Sequence, residues 1–145
     1  MIGVLLYIQD AISLTELVSA GHDLTVAHQD IEIQEFPVEA RRITVVRDGM
    51  YVFCKLIRRG DYADWFLDDA VENSCPFQPQ AILSIEVSLE PFSKHEIALQ
   101  LASETVGFFV QRWILVLDND REKDKHRIYT REEIIANSSE GNFPY

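Results

Sequence analysis

The dipeptide Asp48-Gly49, set between the apolar-patterned segments 42–47 (RITVVR) and 50–57 (MYVFCKLI), is the strongest constraint in this chain of 145 residues. Both residue types tolerate positive φ better than most. A two-residue connection between strand-like runs leaves room only for a tight antiparallel hairpin. A sheet with at least one antiparallel pair is therefore the frame on which the rest must pack.

Hydrophobic period extends that frame in both directions. The apolar run over residues 2–8 predicts a buried strand. Ser13-Leu-Thr-Glu16 has capping-box spacing, in which the hydroxyl accepts from an end amide and the glutamate returns the bond. The helix it opens is expected to stop at Gly21. Residues 23–36 alternate with a change of phase between Leu24/Val26 and Ile31/Ile33, the pattern of a strand with a bulge or turn at 28–30. Residues 61–73 read as an amphipathic helix, with Tyr62, Phe66 and Ala70 beside Ala63, Leu67 and Val71. Cys75-Pro-Phe-Gln-Pro79 ends it, and 81–89 follows as a half-buried strand, antiparallel or near a sheet edge.

Ser93-Lys-His-Glu96 repeats the capping-box spacing and should open a helix to about Gln111, with Ile97, Leu101, Thr105 and Phe108 on its apolar stripe. Further strands are expected at 113–117 and 127–129. Thr130-Arg-Glu-Glu133 caps a last short helix, and a frayed tail is expected from about 137. The expected class is α+β: a mostly antiparallel mixed sheet with two to four helices packed mainly on one face, formed by residues 1–145 as a single domain.

Composition narrows the setting. The amino-terminal apolar run has no basic flank, is broken by Gln9 and Asp10, and is too short for a signal segment or a membrane span. Two cysteines cannot build a disulfide framework, and Cys54 falls on the apolar phase of its strand. These features predict a reducing, cytoplasmic location. A net charge of −11 opposes general binding to nucleic acid, which depends on Lys and Arg displacing counterions. A charged partner should be basic.

The charges are segregated along the chain. Residues 1–40 hold seven acids and no Lys or Arg, 41–59 hold six bases and one acid, and 60–93 again hold seven acids and no base. Within the second acidic block, Asp61, Asp64, Asp68 and Glu72 fall at helical spacing and form one stripe, with Trp65 at its apolar border. Like charges at these spacings repel by tenths of a kcal/mol per pair, a small cost that suggests a use. The stripe reads as a docking surface for a basic partner, with Trp65 as its anchor. A solvated helix face, or neutralisation by Arg41, Arg42, Arg47, Lys55, Arg58 and Arg59, explains the same residues without a partner.

No catalytic, cofactor or metal motif stands out. The acids at 118–124 lack the glycine and the closing glutamate of a calcium loop, since Lys123 and Tyr129 occupy those positions, and a solvated hairpin loop explains them. His22, His28, His95 and His126 are dispersed, no Cys-x-x-Cys exists, and no glycine-rich phosphate loop is present. Cys75 is the one thiol expected to be exposed. Neighbouring carboxylates such as Asp68-Asp69 point about 100° apart on a helix and make poor acid/base partners. Trp113 is expected in the core, with Phe143 and Tyr145 as exposed aromatics.

In its strand-helix-strand opening, the Pro76-Phe-Gln-Pro79 lead into the strand at 81–89, the Ser93-capped helix and the strand at 113–117, the chain resembles small bacterial immunity proteins of polymorphic toxin systems. That resemblance rests on element order and covers about two-thirds of the chain. It implies a non-catalytic inhibitor that binds a basic toxin domain through an acidic face, with Asp61, Asp64, Trp65, Asp68 and Glu72 in contact. The alternatives are a small hydrolase or transferase whose site is assembled from scattered Asp, Glu and His, and a homo-oligomeric subunit pairing at the sheet edge near 81–89.

Overall fold

The computed structural model describes residues 2–58, 75–119 and 127–143. Seven strands form one sheet in the order β2-β3-β4-β5-β1-β6-β7: β1 Ile2–Ile8, β2 Glu32–Glu35, β3 Arg42–Arg47, β4 Met50–Arg58, β5 Ala81–Val87, β6 Leu115–Asp118 and β7 Ile128–Tyr129. Every pairing is antiparallel. Among the described residues three helices accompany it: α1 Leu14–Ala27, α2 His95–Arg112 and α3 Arg131–Ser139. The fold is α+β, and among the described residues no helix is long and apolar enough to cross a membrane.

Alternation along the strands separates two faces. Leu6, Ile8, Ile43, Cys54, Leu83 and Leu117 turn toward Leu17, Leu24, Leu101, Phe109 and Ile134 of the three helices, and together these make the main core. The opposite face carries a smaller cluster of Tyr7, Ile57, Ile82 and Val116, which register with one another across four strands. Trp113 packs partly buried against the main core, its ring 5.2 Å from that of Phe109, as its position after α2 predicts.

The Asp48-Gly49 hairpin forms as its residues require, with φ of 50° and 74° at the two turn positions and Arg47 opposite Met50. Thr130 makes the full capping box: its hydroxyl accepts from the Glu133 amide and the Glu133 carboxylate accepts from the Thr130 amide. Ser13 caps α1 by accepting from the Glu16 amide at 3.1 Å.

Four expectations are corrected. First, α1 does not stop at Gly21 but runs to Ala27, so the segment from Asp23 is helical and only Glu32–Glu35 becomes strand. Leu17, Ala20, Gly21 and Leu24 are buried at successive helical spacings. That stripe overrides the short alternation. Second, β5 lies between β4 and β1 and offers no edge for a second copy; the edges are β2 and β7. Its polar Ser84 and Glu86 face the second side of the sheet, the side that carries the small cluster.

Third, Ser93 does not cap α2. It lies inside a short 3₁₀ turn, Phe92–Lys94, and the helix begins at His95 with no side-chain cap. Fourth, the chain beyond 137 is packed up to Phe143. The Ser103 hydroxyl donates to the Asn142 carbonyl at 2.9 Å, and Phe143 lies in the main core where an exposed aromatic was expected.

The β1–β5 pair is closely spaced at Gly3, where a Cβ would stand 2.7 Å from the Ile85 carbonyl oxygen and 3.2 Å from Glu86 Cγ. Strand propensity favours valine over glycine, whereas this contact opposes it. The contact should win. Gly3→Val is expected to lower stability by about 1–3 kcal/mol, read as a lower urea midpoint at unchanged slope. A midpoint that held or rose would show that the spacing is slack.

Candidate functional site

The acidic stripe of Asp61, Asp64, Trp65, Asp68 and Glu72 lies outside the described residues, as do Arg59, residues 120–126 and Tyr145. The geometry does locate the other charged groups that bear on it. Arg47, at the end of β3, reaches Asp30 and Glu104. Its Nε is 2.9 Å from Asp30 Oδ2, an ion pair without hydrogen-bond alignment, while Nη2 donates to Asp30 Oδ1 at 3.3 Å and Nη1 donates to Glu104. Burial works against the guanidinium charge, but the hydrogen bonds and charges of Glu104 and Asp30 outweigh it and raise the Arg47 pKa. This base is committed to Asp30 of the first acidic stretch and to Glu104 of α2.

Other cations are tied in the same way. Arg112 at the end of α2 pairs with Asp23 of α1, Arg127 pairs with Glu133 of α3, and Lys94 Nζ donates to the Asp48 carbonyl at 3.0 Å. Arg42 lies over the Phe36 ring, 4.2 Å from its centroid. Each contact joins two segments distant in the chain or adjoins a turn, so these bases brace the fold.

The acids of residues 1–40 stay outside. All seven are exposed. Asp23 and Asp30 meet arginines and Glu35 stands 3.7 Å from His22 Nε2, whereas Asp10, Glu16, Glu32 and Glu39 make no ion pair among the described residues. Glu32, Gln34 and Glu35 occupy the outermost strand, β2, with Val26 and Val38 also exposed on the neighbouring segments. Charged side chains on an edge strand block unwanted strand addition, and here they also make an acidic margin to the sheet. The seven acids in that baseless stretch were legible from the sequence, but their concentration at an edge depends on topology.

Among the described residues, the thiols and His95 occupy separate settings. Cys54 is fully buried in β4, and burial pushes its thiol far above the ordinary range. Cys75 is half-buried against the second-face cluster, contrary to the exposed thiol expected. Partial burial raises its pKa, against the opposing effect of a backbone hydrogen bond at Phe77. His95 Nδ1 sits 2.7 Å from the Phe92 carbonyl with the imidazole stacked on the Phe92 ring. Among the described residues no three His, Cys, Asp or Glu side chains gather as a metal site would require. Asp118, expected in a solvated loop, is instead the buried last residue of β6, where its Oδ2 accepts from the Tyr7 hydroxyl at 2.7 Å.

A cleft of about 790 Å³ opens at the other end of the sheet, between β6, β7 and the start of α3. Phe77, Ile114, Val116 and Ile128 supply apolar lining, and Arg127, Arg131 and Glu132 supply the charges. Nothing in the sequence marked this place, because its described residues come from four separated segments. Comparison of the chain with protein-family models, curated proteins and solved structures finds no match.

The thiol environment gives a direct check on catalysis. A raised pKa leaves the thiol form dominant at neutral pH, so Cys75 of the native protein should react with an aromatic disulfide more slowly than a free thiol, and its rate should go on rising with pH beyond the point at which a free thiol levels off. Cys54 should react only after unfolding. Rapid modification of native Cys75 at neutral pH would reveal an activated nucleophile.

Proposed function

We propose that the chain is a non-catalytic acidic binding protein, an immunity or inhibitor protein that neutralises a basic partner such as a bacterial toxin domain in the cytoplasm. The observation that carries this reading is the exposure of all seven acids in a 40-residue stretch without Lys or Arg, four of them without an ion pair among the described residues. Maintaining so many like charges costs a little stability through self-repulsion, and complementary potential offsets that by steering a basic protein onto the surface. The stripe Asp61, Asp64, Asp68 and Glu72, with Trp65 beside it, is the proposed contact face. Two free cysteines suit a reducing compartment.

The test takes the partner captured by pull-down from the native organism, expected to be basic, and titrates it by calorimetry at low and at physiological salt. Joint reversal of Asp64→Lys and Asp68→Lys should weaken the complex by about tenfold or more at low salt, and less as salt rises. Reversal of Glu32→Lys and Glu39→Lys examines the sheet margin in parallel. If only the second pair weakens binding, the contact face moves from the stripe to β2. If neither does, the acidic surface serves solubility alone.

A further inference from the structure

We propose that the cleft beside the start of α3 binds a small amphipathic carboxylate, its apolar body against Phe77, Ile114, Val116 and Ile128 and its head against Arg127 and Arg131. The inference is independent of the acidic docking surface. A volume of about 790 Å³ falls in the range of small-molecule sites, which combine apolar walls with a few convergent polar groups.

The floor is apolar by construction. Val116 belongs to the second-face cluster, and Phe77 and Ile128 pack against it while remaining partly accessible. Ile114, immediately before β6, is 60% exposed and lines the cleft. An apolar chain laid here would take these side chains out of water, a gain that grows with the area covered.

The charges select the head group. Among the described residues, two arginines and the acid Glu132 line this cleft, and Arg127 also pairs with Glu133 beside it. Both guanidinium groups are held in place. Arg127 donates to Glu133 through Nη2 with Cζ 4.5 Å from the Tyr129 ring centroid, and Arg131 donates through Nη1 to the Val110 carbonyl at 2.7 Å. Each guanidinium has five donors, so these bonds orient the groups without exhausting them. Oriented donors lower the ordering cost of binding. A cationic head offers these donors no acceptor, and a neutral head forfeits the charge-assisted bonds. With Glu133 on Arg127 and Glu132 next to Arg131 in the chain, the charges of these four residues balance, so the site offers donors to one carboxylate and gains nothing from the second negative charge of a phosphate monoester.

Decanoate is the probe, titrated below its micelle concentration into the whole protein and followed by calorimetry and amide NMR, with decanol, decyltrimethylammonium and decyl phosphate as comparators. The expected result is saturable one-to-one binding of decanoate, with shifts concentrated at Ile114, Val116, Ile128 and Arg131. Decanol should bind about tenfold more weakly, the effect of losing a charge-assisted hydrogen bond, and the cation more weakly still. Ile114→Glu, at an exposed position, should abolish binding by placing a further acid in the cleft, whereas Ile114→Lys should retain it. Arg127→Gln with Arg131→Gln should reduce decanoate to the affinity of decanol, with thermal unfolding recorded to confirm a folded variant.

Equal affinity for decanol and decanoate would overturn the proposal, as would equal loss in the two Ile114 variants. Tighter binding of decyl phosphate, shifts that map elsewhere, or failure to saturate would do the same.

Discussion

The structure depends on the position of β1. Seven residues at the start of the chain pair on one side with residues 81–87 and on the other with 115–118, so the centre of the sheet closes only when the two ends of the sequence meet. Both faces of the strand carry apolar side chains: Val4, Leu6 and Ile8 enter the core under the helices, while Leu5 and Tyr7 belong to the cluster behind. That is why residues 2–8 read as an unbroken apolar run where other strands alternate. The β3–β4 hairpin is local and its closure entropy small, whereas β1 pairings span most of the chain. Helix placement follows from the same strand, since α1 leaves its end and packs back over the face that Leu6 and Ile8 present.

The ion pairs hold this arrangement at its periphery. Arg47 joins β3 to the loop before β2 and to α2, and Arg112 joins the end of α2 to α1. Exposed pairs of this kind contribute little individually, about 0–1 kcal/mol. The Arg47 group, only 14% exposed with two carboxylates on it, is the exception in geometry. Their larger consequence is for the surface. With these arginines occupied inside the fold's own contacts, Glu32 and Glu39 have no ion-pair partner among the described residues, and the first acidic block remains an acidic surface.

What could be read from the sequence was whatever depended on neighbours in the chain. Asp48-Gly49 specified its hairpin because a two-residue turn needs positive φ, and Thr130 with Glu133 specified a helix start because both bonds of the capping box lie within four residues. Local signals failed where a tertiary contact competed with them. Gly21 resembled a helix terminus but lies within 3.0 Å of Ile43 Cδ1 once a Cβ is imagined, so its small size serves packing against β3. Ser93 has the right spacing for a cap, yet Pro91 leads into a 3₁₀ turn that takes its place. Phe143 looked like part of a polar tail and is drawn into the core. Tyr7 with Asp118, separated by 111 positions, and the cleft assembled from four segments had no sequence signature at all.

Strand order also separates the two surfaces that carry functional interest. The acidic margin lies along β2 and the arginine-bearing cleft lies beside β7, at opposite edges of a seven-stranded sheet. With neighbouring strands about 4.8 Å apart, six intervals put the edges roughly 29 Å from each other, well beyond the Debye length of about 8 Å at physiological salt. A charge placed at one edge is therefore screened from the other. A basic protein on the β2 margin and a small carboxylate in the cleft would not compete for charge or for space. Any mutual influence would have to pass through the packed strands and helices between them, which requires two discrete arrangements of that core and not electrostatics alone.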